Sequence, residues 1–131
     1  MSVNPKEIRI AVVDDDPVIL NVFSLMIKRF GYVADFFLIS EEAFKIISEH
    51  PKHYNLLISD IFMPNEDGIS FAKRVRSVAP DLPIIFMTGN ESQEIRNQAL
   101  SLGRVTFFGK PFPLLEVLKE TIDKFLTQTG S

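Results

Sequence analysis

Apolar residues gather along this chain in five short runs, and the segments between them carry apolar positions at the spacing of a helix. The runs are Ile8 to Val13, Val33 to Leu38, Leu56 to Ser59, Pro83 to Met87 and Val105 to Phe108. The first, third and fourth are almost continuously apolar, as central parallel strands covered on both faces must be. Ile19, Phe23, Met26 and Phe30 step by four, three and four, which predicts one apolar helical face, with Gly31 as the stop. Leu115, Leu118, Ile122 and Phe125 do the same near the C-terminus, and Ile95, Ala99 and Leu102 predict a helix ending at Gly103. Ser40-Glu41-Glu42 and Asp67-Gly68 read as the openings of the second and third helices, the latter ending before Pro80. No internal repeat interrupts this rhythm. It predicts an α/β fold, (βα)5, with a doubly wound parallel five-stranded sheet between two helical layers.

Composition narrows the setting. The chain of 131 residues is 46% apolar and 24% charged, and so is expected to form a single domain over residues 1–131, with its core at about 7–127. The polar tail Thr127 to Ser131 fits either a natural end or the edge of a fragment of a longer protein. A net charge of −3 with scattered Lys and Arg gives no reason to expect direct nucleic-acid binding. No apolar run approaches the roughly 20 residues of a membrane helix, and no cysteine is present, so the expected setting is cytoplasmic and away from membranes.

Chemistry concentrates where the runs end. The first leads into Asp14-Asp15-Asp16, the third into Asp60, the fourth into Thr88-Gly89 and the fifth into Lys110-Pro111. In open parallel sheets, ligands bind outside the carboxyl ends of the strands, where the strand order reverses. Gathering Asp14, Asp15 and Asp60 there is unfavourable unless positive charge offsets them. Lys110 supplies one charge, and a hard divalent cation with oxygen ligands, Mg2+, supplies the rest while leaving positions for phosphate oxygens. An aspartate beside such a metal can attack a phosphoryl group, and Asp60, alone at its strand end, is the candidate nucleophile. Thr88 and Lys110 would share the charge on the transferring oxygens.

Each residue also has a plainer reading. Asp14 to Asp16 before Pro17 can cap a helix, which is the expected role of Asp16. Asp60 can open a turn, Asp67-Gly68 reads as turn chemistry, Lys110 can be a solvated charge and Phe107 ordinary core. Taken together, these readings give no reason for four polar groups to end four strands on one side.

Val12 to Pro17, Leu56 to Gly68, Ile84 to Gly89 and Phe107 to Phe112 resemble, in order, the four signature segments of response-regulator receiver domains. The resemblance spans about Ile8 to Phe125 and implies a flavodoxin-like sheet of strand order 2-1-3-4-5. It implies Asp60 as the phosphorylation site, and Asp15, Asp60 and the Phe62 carbonyl as direct Mg2+ ligands, with Asp14 acting mostly through water. It implies catalytic roles for Thr88 and Lys110 and a switch formed by Thr88 and Phe107 that signals through the fourth helix, fifth strand and fifth helix. The implied partners are a sensor histidine kinase or phosphotransfer protein upstream, and a downstream effector, a fused output domain or a second copy in a homodimer. Such a domain is a switch that catalyses only its own phosphorylation and dephosphorylation. Phe62 departs from the family, which often has a polar residue there, and Asn90, Gly89 and Arg104 stand at other variable places. Two alternatives stay open. Asp14-x-Asp16 has the spacing of a phosphatase nucleophile of the haloacid dehalogenase type, and a receiver-like module can persist as an inert interaction domain.

Overall fold

A computed structural model describes residues 8–63, 66–88, 92–109 and 115–129; at 88, 108, 109, 115–118 and 127–129 it describes the backbone only. Five strands alternate with five helices: β1 (Arg9–Val13), α1 (Pro17–Phe30), β2 (Val33–Phe37), α2 (Ser40–Glu49), β3 (Leu56–Asp60), α3 (Gly68–Val78), β4 (Ile84–Thr88), α4 (Gln93–Leu100), β5 (Val105–Gly109) and α5 (Leu115–Thr129). The strands form one parallel sheet in the order β2-β1-β3-β4-β5. The three nearly unbroken apolar runs are therefore the three central strands, as their patterning requires.

Side-chain alternation divides the core into two layers. Ile10, Val12, Leu56, Ile58, Ile85 and Met87 face α1 and α5, meeting Phe23 and Ile27 of the first and Ile122 of the second. Ala11, Val13, Leu57, Ile84 and Phe86 face α2, α3 and α4, meeting Ile47, Phe71 and Val75. The chain leaves β1 toward β2 and then passes to the other side of β1 to lay down β3. The strand order therefore reverses between the carboxyl ends of β1 and β3.

Local signals set most of the helix ends. Asp16 caps α1, its carboxylate accepting from the Val18 N–H at 2.9 Å, with Pro17 in the first turn. Gly31 ends α1 at φ 87°, a left-handed conformation that costs glycine nothing. The buried face of α1 is Leu20, Phe23, Ile27 and Phe30; Ile19 and Met26 lie at its margin, half-buried against the same cluster. The face is thus turned about one residue from the predicted stripe. Ser40 opens α2 but does not cap it, because its hydroxyl donates instead to Glu66 Oε1 at 2.9 Å. Among the described residues no helix is long and apolar enough to cross a membrane.

The outer end of the α3–α4 layer is held by a cation. Arg76 of α3 donates to four carbonyls: Leu102 at 3.1 Å, Ala79 at 3.1 Å, Leu82 at 2.6 Å and Gly103 at 2.7 Å. Its planar fork thus ties the end of α3 to the loop that follows α4. Replacing Arg76 with Met should remove a donor from each of these carbonyls, of which Ala79 keeps the Leu82 N–H and Gly103 opens to solvent, and lower stability by about 1–3 kcal/mol. The midpoint of urea unfolding measures this, and a midpoint equal to that of the native chain would contradict it.

Candidate functional site

The reversal of strand order sets the acidic residues side by side. Val13 of β1 pairs with Ser59 of β3, so Asp14 and Asp60 leave adjacent strands at the same level. One carboxylate oxygen from each of Asp14, Asp15 and Asp60 lies within 4.8 Å of the others. Asp14 is 1% exposed and Asp60 7%, whereas Asp15 opens to solvent. A magnesium ion holds oxygens at 2.0–2.1 Å, which puts neighbouring ligands roughly 3–4 Å apart, so this cluster has the spacing and donor type to hold one. Among the described residues it is the one such group of three.

Backbone groups fix the acids. The Asp14 N–H donates to the Phe37 carbonyl at 3.1 Å, which ties the end of β1 to that of β2, and Asp14 Oδ1 accepts from the Asp16 N–H at 2.9 Å. The Phe62 N–H donates to Asp60 Oδ1 at 3.3 Å, and the Phe62 side chain stands at the surface, 57% exposed. Asp16 stays outside the cluster as the cap of α1, so Asp14-x-Asp16 does not present two convergent carboxylates. Thr88 ends β4, and its backbone pairs with Gly109, the residue before Lys110. The Thr88 side chain and all of Lys110 lie outside the described residues. Phe107 is half-buried on β5, stacked on Phe86 at 6.2 Å between ring centres.

Three features of the site are not apparent in the sequence. The buried Ser59 hydroxyl donates to the Asp60 carbonyl at 2.9 Å. Gly68, read above as turn chemistry, is needed for close approach: a Cβ there would collide with the Asp60 carbonyl oxygen and lie 2.8 Å from Ile61 Cα. Glycine in the first turn of a helix is a poor helix former, and that was the available signal. The loop before α3 is held by Arg74, which donates to Glu66 through Nε at 2.8 Å and Nη2 at 2.7 Å, and to Glu41 of α2 at 3.1 Å. The Arg74 guanidinium also lies 4.3 Å from the centre of the Phe44 ring. Its hydrogen bonds hold the Glu66 carboxyl below its ordinary range. Glu66 stands just before the cap of α3 and Arg74 two turns into the helix, a pairing outside the capping-box and i,i+4 signatures.

Residues 10–123 match the family model described as response regulator receiver domain. The chain belongs to this family. The receiver domain is 33% identical over 112 residues to response regulator MprA of Mycobacterium ulcerans, covering 85% of this chain and 47% of that protein. It is 29% identical over 126 residues to the 3',5'-cyclic-nucleotide phosphodiesterase regA of Dictyostelium discoideum, covering 94% of this chain and 16% of the relative. The chain therefore spans less than half the length of these curated relatives. A solved CheY-like receiver domain protein from Methanospirillum hungatei superposes with a TM-score of 0.86 at 26% identity, covering 94% of this chain and 96% of the other. The receiver domain is thus a signalling module of two-component systems, with an acidic cluster able to hold a metal ion.

Gly68→Ala should push the start of α3 away from the Asp60 backbone and destabilise the domain by about 1–3 kcal/mol. A urea denaturation series reads this directly. An alanine variant as stable as the native chain would show that the loop relaxes freely.

Proposed function

We propose that Asp60 accepts a phosphoryl group from the phosphohistidine of a sensor kinase or phosphotransfer protein, or from a small phosphodonor, and that this modification switches the domain. The observation that carries the reading is the convergence of Asp14, Asp15 and Asp60 at the strand-order reversal. Asp14, Asp15 and Asp60, with the Phe62 carbonyl, would hold Mg2+, which when bound neutralises the acids and stabilises charge on phosphate oxygens. An Asp60 carboxylate oxygen attacks phosphorus, a bond from oxygen to phosphorus forms, and the bond from phosphorus to the donor's nitrogen or oxygen breaks. Thr88 and Lys110 are proposed to bind the phosphoryl oxygens, which supports charge developing on them.

Thr88 and Phe107 then form the switch. As the Thr88 hydroxyl moves toward the phosphoryl group, the Phe107 ring turns inward, and the change is read on the face made by α4, β5 and α5. An effector, a fused output domain or a second copy of this chain would bind there. The cytoplasmic setting expected of such a switch rests on the family.

Acetyl phosphate with Mg2+, followed by intact mass, should add one phosphoryl group per chain, and chelator or Asp60→Asn should abolish it. Continued release of phosphate from a generic ester, without a labelled chain, would favour a phosphatase instead. An unlabelled chain would favour an inert interaction module. Phe62 sets the lifetime: a bulky apolar side chain two residues after Asp60 hinders water at the acyl phosphate. Phe62→Asn should therefore lose its phosphoryl group severalfold faster than the native chain, and slower loss would refute this role.

A further inference from the structure

One row of side chains leaves the acidic cluster across the sheet. Backbone register places Ser59 beside Phe86 and Phe86 beside Phe107, all on the face covered by α2, α3 and α4. Ser59 is bonded to the Asp60 carbonyl, and Phe86, fully buried, stacks on Phe107 with 29° between the rings. The row ends on a cation: the Arg96 guanidinium of α4 lies 4.4 Å from the centre of the Phe107 ring. The helix that carries it is lightly embedded. Ala99 is its one buried residue, and Arg76 pins the loop beyond its C-terminal end through the carbonyls of Leu102 and Gly103. Arg96 is itself half-buried, beside Ile95, which packs at the margin of the same layer.

We propose that Arg96 is a positioning residue that latches Phe107 in its half-buried place through a cation–π contact, and so restrains phosphorylation at Asp60. This deepens the proposed function and rests on it. The contact uses a ring face that Phe107 offers only in its half-buried position. Inward rotation withdraws that face, so the cation favours the resting arrangement by its differential contact with the two states. A contact of this kind at a partly exposed position shifts a two-state equilibrium by about two- to fivefold.

The test compares the native chain with Arg96→Met and Arg96→Lys, measuring the initial rate of labelling by acetyl phosphate and Mg2+ together with the urea midpoint. Arg96→Met should label about two- to fivefold faster than the native chain, and Arg96→Lys should stay near the native rate because a cation remains over the ring. Phe107→Leu supplies a second arm: once the ring is gone, adding Arg96→Met should change nothing further. A folded Arg96→Met that labels at the native rate or slower sinks the latch alone, as does Arg96→Lys matching Arg96→Met or an additive effect in the Phe107→Leu background. A native chain that takes no label sinks the latch and the proposed function together.

Discussion

Three carboxylates are held within 4.8 Å of one another, and the rest of the molecule is arranged to make that possible. Like charges at this distance repel, so the free energy that keeps them together comes from elsewhere. It comes from the sheet. Asp14 and Asp60 follow Val13 and Ser59, which are paired and completely buried, and apolar layers cover both faces of β1 and β3. Separating the acids would mean separating two central strands. Fully buried side chains such as Phe23 and Phe71, at about 1.5–3 kcal/mol each, oppose that. A cation held among the three oxygens would relieve the repulsion left over, so the strain of assembling the cluster is also what makes it able to hold a metal ion.

The fold was legible because its signals are local and repeated. Unbroken apolar runs named the central strands, and glycine at 31 and aspartates at 16 and 67 punctuated helices. The acids were legible because they stand at strand ends, where topology alone decides which side they share. Other parts depended on partners far away in the chain. Ser40 was read as the opening of α2, and it is, yet its hydroxyl turns to Glu66, twenty-six residues on. Gly68 looked like turn chemistry, yet what it makes room for is the backbone of Asp60. The stripe on α1 was read one residue off because Ile19 and Met26 are apolar but lie at the edge of the contact, and periodicity cannot distinguish the centre of a face from its margin.

The two helical layers are attached differently. On one side α1 brings four buried side chains to the sheet, and Ile122, Phe125 and Leu126 of α5 join them. On the other, α3 is well embedded but α4 contributes one buried residue, Ala99, with Ile95 half-buried beside it. A helix with so little apolar burial opens at low free energy compared with the core. That property suits an element proposed to move while the acidic cluster keeps its geometry.

Arginine supplies much of what burial does not in this second layer. Arg74 reaches from α3 to acids on the preceding loop and on α2, Arg76 reaches the other way to carbonyls after α4, and Arg96 returns from α4 to a ring on β5. The three contacts differ in strength and directionality. A bidentate carboxylate pair and a four-carbonyl clamp are directional and fix a position, whereas a cation over a ring is softer and depends on which face the ring presents. The directional contacts hold the loop before α3 and the loop that follows α4. The soft one falls on Phe107, where the chain is proposed to change state, so the stiffness of each contact follows the motion that its location demands.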